Sequence, residues 1–227
     1  GAGAAQSSDA PAPTADTLAA IVYTSGTTGK PKGVIHTHGS LLAEAGYIRD
    51  GHRLTREDTA FCVLPLSHIN GEVVTLVTPL FSGGRVVMPE RFRASTFWQI
   101  VDRYRVTWFS AVPTILSILL NRDLPPDVDI SSIRFGRSAS APLPAAILKA
   151  FEEKFGFPII ESYGLSETGS QVATNPRPPA RRKPGSVGLP VGNTIRVVGE
   201  KEENVAPLVQ GEVILRGENL FAGYYNN

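Results

Sequence analysis

Apolar positions fall into two rhythms along this chain. Short, nearly continuous apolar runs at 19–23, 59–64, 85–88, 106–109, 133–135 and 158–160 read as buried strands. Between them, segments at 38–49, 71–81, 95–103, 113–120 and 144–155 read as helices. In the last of these, Ile147, Leu148, Phe151 and Phe155 recur at helical spacing, with Lys149, Glu152 and Glu153 opposite. Strand and helix alternating in this way predict an α/β fold, a mostly parallel sheet flanked by helices on both faces. From Val187 the pattern changes to short strands at 194–198 and 212–215, without helices. The expected organisation is a linker or cloning scar over 1–16, an α/β core over 17–190, and a β-rich segment over 191–227. No internal repeat is visible.

Composition agrees with one globular unit: 42% hydrophobic and 19% charged residues can build a sizeable core. The formal net charge of +1 gives no electrostatic case for nucleic acid or an anionic membrane as partner. No apolar stretch is long enough to span a bilayer, and no secretory leader is recognisable. The single cysteine, Cys62, sits in an apolar run and reads as a packing residue in a reducing compartment. A cytoplasmic location is therefore expected. His36, His38 and His52 show no metal-ligand spacing; the first two are expected to close a loop and open the next helix.

The chemistry concentrates in the run from Tyr23 to Gly33, directly after the first apolar run. It holds Thr24, Ser25, Gly26, Thr27, Thr28, Gly29, Lys30, Pro31 and Lys32. Small residues let main-chain N–H groups approach an anion, while hydroxyls and ammonium groups add donors and positive charge. A flexible surface turn is the plain reading of a glycine-rich loop, but two lysines flanking a proline after a buried strand favour phosphate. The P-loop NTPase pattern fails on register: Gly26 and Gly29 are too close, and Lys30 is followed by proline.

This loop resembles the signature of the adenylate-forming superfamily: acyl-CoA synthetases, nonribosomal peptide synthetase adenylation domains and luciferases. Further segments follow in the order that family implies. Glu161–Gly169 resembles the stretch in which an aromatic ring stacks on adenine, a hydroxyl meets the α-phosphate and a glutamate holds magnesium. By position these are Tyr163, Ser166 and Glu167, with Gly164 and Leu165 beside the nucleotide. Gly136–Pro144 resembles a small-residue turn under the adenine and acyl pockets. It nominates Ser140, Ala141 and Pro142 for ATP, although the family's usual adjacent glycines are absent near Arg137 and Ser138. Pro65–Gly71 resembles a segment bordering ATP and acid, and nominates His68. With Asn70, Val112, Gly136 and Ser138 it makes the expected acid pocket. Two weaker resemblances lie at 185–190 and 211–225.

The resemblance implies ATP-dependent activation of a carboxylic acid to an acyl-adenylate, with release of pyrophosphate and transfer to a thiol. ATP and Mg²⁺ are the implied cofactors, with Lys30, Lys32, Ser166 and Glu167 as catalytic residues and Glu167 as metal ligand. The acceptor is CoA or the phosphopantetheine of a carrier protein, so an acyl carrier domain is an alternative partner to a small acid with CoA. The chain reads as a core fragment without a C-terminal domain, inactive or impaired alone. The alternative is a catalytically inactive nucleotide-binding or interaction module on the same fold.

Overall fold

The computed structural model describes residues 12–24 and 31–226. In chain order its first elements are β1 (Leu18–Thr24), β2 (Lys32–Thr37), α1 (His38–His52) and β3 (Thr59–Cys62). A π-helical stretch (Asn70–Val77) then runs into α2 (Thr78–Phe81), followed by β4 (Arg85–Val87) and α3 (Phe97–Tyr104). β5 (Trp108–Ala111), α4 (Pro113–Leu120), β6 (Phe135–Ser138), α5 (Ala145–Phe155) and β7 (Ile159–Tyr163) complete the α/β part. The remainder is β8 (Ala173–Thr174), β9 (Leu189–Pro190), β10 (Thr194–Val198), β11 (Glu212–Arg216) and β12 (Gly223–Tyr224).

The main sheet has the order β4-β3-β5-β6-β7-β8-β9. Its pairings are parallel from β4 through β7, and β8 and β9 add antiparallel. This is the α/β architecture expected, and the strand period explains its two cores. Phe61, Phe109 and Ile159 point to one face, where they pack with Phe97, Trp98, Leu116 and Phe151 of α3, α4 and α5. The neighbouring positions Ala60, Trp108 and Ile160 point to the other face, against Leu41 and Ile48 of α1 and Val73 and Val74 of the π-helical stretch. A sheet covered twice buries both side-chain sets of every central strand.

Local chemistry sets the helix ends. Thr37 accepts from the Ser40 N–H at 3.1 Å while Ser40 Oγ accepts from the Thr37 N–H at 3.1 Å, a reciprocal cap that starts α1. Pro113 stands in the first turn of α4, where its missing N–H costs nothing. Gly156, at φ 77°, ends α5.

Two readings of the sequence need correction. The run at 19–23 is not a buried strand: β1 lies at the edge of a separate antiparallel sheet, and of its side chains only Val22 is buried. That sheet has the order β1-β2-β12, with β2 in a stretch read only as loop and helix start. The strand expected at 133–135 is displaced to Phe135–Ser138, so Gly136, Arg137 and Ser138 are strand residues rather than a turn. β10 and β11 form their own antiparallel ribbon. Cys62 is buried, and burial pushes its thiol pKa up, as suits a packing residue. Among the described residues no helix is long and apolar enough to cross a membrane.

Candidate active site

The carboxyl ends of parallel strands form the natural crevice of an open α/β sheet, because each chain turns there into a helix on one face or the other. A cavity of about 870 Å³ lies at those ends. Leu64 beyond β3, Val112 beyond β5, Ala139 and Ser140 beyond β6, and Gly164 and Leu165 beyond β7 all line it. A second cavity of about 430 Å³ shares Ser140, Gly164 and Leu165 with the first.

The sequence candidates divide between the two. Thr24, Lys32, His68, Asn70, Val112, Ser166 and Glu167 line the larger cavity. Ala141, Pro142 and Tyr163 line the smaller, with the shared Ser140, Gly164 and Leu165. Ser138 was expected beside His68 and Asn70 but lines the smaller cavity. Gly136 lines neither; a Cβ there would stand 2.6 Å from Ile159 Cδ1 and 2.8 Å from Phe109 Cζ, so it is a close-packing position in the core. Ser25, Gly26, Thr27, Thr28, Gly29 and Lys30 lie outside the described residues.

The turn carrying Ser166 and Glu167 is held by four residues from outside it. His36, buried on β2, lies with Nε2 2.7 Å from the Ser166 carbonyl, which places the ring proton on Nε2. Burial holds the His36 pKa below its ordinary value, against the raising effects of that hydrogen bond and of Glu167. Asn219 Nδ2 donates to the Thr168 carbonyl at 2.8 Å. The Phe221 N–H donates to the Glu167 carbonyl at 2.8 Å. Finally the Tyr224 hydroxyl donates to Glu167 Oε1 at 2.8 Å, and Lys32 Nζ lies 5.1 Å from the centre of the Tyr224 ring. A carboxylate, an ammonium and several hydroxyl-bearing residues thus line one cavity. This arrangement suits a polyanion accompanied by a hard cation.

A buried polar network backs the larger cavity. Asn70 Oδ1 accepts from Ser110 Oγ at 2.9 Å and from Arg137 Nη1 at 3.0 Å, while Asn70 Nδ2 donates to Ser140 Oγ at 3.2 Å. Ser140 sits at φ 72°, unusual for a residue with a side chain. Glu44 accepts from the Gln171 N–H and, at 2.7 Å, from Asn219 Nδ2. Burial pushes the Glu44 carboxyl up to about 8 and the His52 imidazole down to about 3.

Sequence reasoning did not nominate His36, Tyr224, Asn219, Glu44 or Arg137 for the site. Only Glu44 left a signal there. It falls on the same helical stripe as Leu41, Ala45 and Ile48, and a carboxylate on an apolar stripe implies buried partners.

Comparison with known proteins gives one answer. Sulfoacetate–CoA ligase of Cupriavidus necator is 45% identical over 215 residues, covering 95% of this chain and 42% of the relative. Oxalate–CoA ligase of Arabidopsis thaliana is 41% identical over 216 residues, covering 93% and 42%. The solved o-succinylbenzoate CoA synthetase of Bacillus subtilis, in complex with ATP and magnesium ion, matches with a TM-score of 0.84 at 34% identity. That match covers 95% of this chain and 44% of the other. The chain therefore spans about two-fifths of the length of these proteins. The family model described as AMP-binding enzyme matches residues 2–225, and with the crevice, the cavity and the relatives in agreement, this chain belongs to the AMP-binding enzyme family.

Proposed function

We propose that the intact protein joins a small carboxylic acid to ATP and then passes the acyl group to the thiol of CoA. A carboxylate oxygen attacks the α-phosphorus, the bond to the β-phosphate oxygen breaks, and pyrophosphate leaves. The thiol sulfur then attacks the acyl carbon, loses its proton, and AMP departs. The observation that carries this reading is the convergence of Lys32, Ser166 and the Tyr224-held Glu167 on one cavity in a member of this family.

No side chain need act as nucleophile, because positioning and electrostatics supply the acceleration. Lys32, with the 25–30 segment and its Lys30, draws the outer phosphates; Thr24 borders them; Ser166 offers a hydroxyl to the α-phosphate. Tyr163 provides a flat face for adenine, and Ser140, Ala141 and Pro142 the rest of that cavity wall. His68, Asn70 and Val112 bound the acid. Glu167 fits a magnesium ion, since Tyr224 occupies only Oε1. No set of three His, Cys, Asp or Glu side chains gathers among the described residues to hold a metal unaided. Substrate phosphates and water would complete the shell, a common arrangement for this ion. When bound, the ion neutralises charge on the departing phosphates.

The deciding measurement is ATP–pyrophosphate exchange by the intact protein across a panel of carboxylic acids, followed by assay for the CoA thioester. Exchange without CoA transfer would point to a carrier-protein acceptor. Nucleotide binding with no exchange for any acid would leave only the inactive-module reading.

Two variants probe the assignments. Lys32→Ala is expected to raise the KM for ATP about tenfold with little change in melting temperature, because the side chain borders the cavity rather than the core. A large fall in melting temperature with unchanged ATP kinetics would make Lys32 structural. Among the described residues Ser138 Oγ is buried with no hydrogen-bond partner, a state that costs about 1–3 kcal/mol. Ser138→Ala should therefore leave stability unchanged or raised, yet weaken ATP several-fold if the nucleotide supplies the missing partner. A change confined to acid selectivity would return Ser138 to the acid pocket.

A further inference from the structure

Arg137 presents an anomaly that the proposed reaction does not use. Its side chain is completely buried on β6. Isolating a cation from water costs several kcal/mol unless an anion or good geometry compensates. Its three acceptors are all neutral: Asn70 Oδ1 and Ser110 Oγ at 3.0 Å, and Gln171 Oε1 at 3.3 Å. None of the ion pairs among the described residues includes it. Glu44 is close enough to act on it through space, but burial favours the neutral form of that carboxyl.

The partners of Arg137 lead to the cavity. By demanding an acceptor, Arg137 and Ser110 fix the orientation of the Asn70 amide: oxygen inward, NH₂ towards Ser140. Asn70 lines the larger cavity with His68 and Val112, and among the described residues its Nδ2 makes a single bond, leaving one N–H to donate. The wall there has donor character, and one residue behind it lies a positive charge that no carboxylate among the described residues contacts directly. In a region of low dielectric that charge acts strongly across a few ångströms.

We propose that Arg137 is a specificity-determining residue of the acid cavity, selecting small carboxylic acids that carry a second anionic group. It does so without touching the acid, by orienting Asn70 and by placing positive charge behind it. The proposal rests on the acid-activating reading above and narrows its substrate class. Sulfoacetate and oxalate, the acids named for the two relatives, each bear two anionic groups, which agrees with it.

The test is exchange by the intact protein with oxalate and sulfoacetate against acetate and propionate, in wild type and three variants. Wild type should favour the doubly anionic acids in kcat/KM. Arg137→Met should cut that preference about tenfold or more, through the KM for the acid, with the KM for ATP within about twofold. Arg137→Lys keeps the charge and should retain most of the preference. Asn70→Asp sets a carboxylate against Arg137 and should abolish the preference in a folded protein, which guards against a poorly folding Met variant. Wild-type preference for acetate and propionate would overturn the proposal while leaving acid activation intact. So would an equal loss for all acids and ATP in Arg137→Met with no rescue by Lys, or an unaltered preference in Asn70→Asp. Absence of exchange with every acid would overturn the acid-activating reading itself, and this one with it.

Discussion

Glu167→Gln in the intact protein should lower adenylate formation by about 100- to 1000-fold, the range found when one preorganised electrostatic group is removed. ATP binding should fall far less. Glutamine keeps the shape of the side chain and an oxygen able to accept from Tyr224, so the turn held by His36, Asn219 and Phe221 stays in place. What disappears is the negative charge proposed to hold a cation against the phosphates. That charge matters most as pyrophosphate departs, so the loss belongs to the transition state rather than to the ground state. Exchange kinetics and calorimetric ATP titration, run side by side at several magnesium concentrations, separate the two. Equal activity of variant and wild type at limiting magnesium would remove Glu167 from its role.

The second large effect is on folding. Gly164 follows β7 where the chain packs against the segment that leads into β8. A Cβ at this position would stand 1.3 Å from the Ser170 carbonyl oxygen and 2.3 Å from its carbon. Both are backbone atoms, so no side chain can swing aside. Gly164→Ala should destabilise the protein by more than about 3 kcal/mol, beyond ordinary overpacking, and should distort the strip shared by the two cavities. Urea denaturation gives the number. Gly156→Ala is the control: its φ of 77° disfavours a side chain, but nothing lies within 4 Å of the added carbon. It should cost only about 1–2 kcal/mol. Equal midpoints for Gly164→Ala and wild type would show that this packing relaxes.

Much of the scaffold was legible because it is dictated locally. Pro113 and Leu120 bound α4 as the pattern predicts, and the nearly continuous apolar run through Trp108 and Phe109 reports a strand buried on both faces. The segment 71–81 carries a helical pattern, yet its first part is π-helical. Gly71 packs so close to the chain at Pro65 that a Cβ would be 2.3 Å from that carbonyl oxygen. Such a distortion depends on a contact between segments, and π-helical turns are common at functional sites. Thr24, Lys32, Ser166 and Glu167 were legible as candidates because their types suit the proposed chemistry within short motifs, and all four line the larger cavity. The residues that hold them were not: His36 reaches Ser166 across 130 positions and Asn219 reaches Glu44 across 175. Hydrogen bonds between distant segments leave no periodic trace. β1 misled for a related reason. Its apolar run is real, but hydrophobicity reports a wish to be covered, not what covers it.

The pairing of Gly223 with Ile35 and Tyr224 with Val34 has a consequence for synthesis. A chain emerging from the ribosome can lay down β3 to β7 in order, each strand beside one already made or soon to follow. The ladder that delivers Tyr224 to Glu167 joins a stretch made among the first to one made nearly two hundred residues later. Loop closure over such a span comes late. A nascent chain halted before Phe221 can hold its parallel sheet, but the glutamate would lack both the main-chain and the phenol contact. The scaffold matures before the site, and a half-made polypeptide offers nucleotide only an unfinished grip.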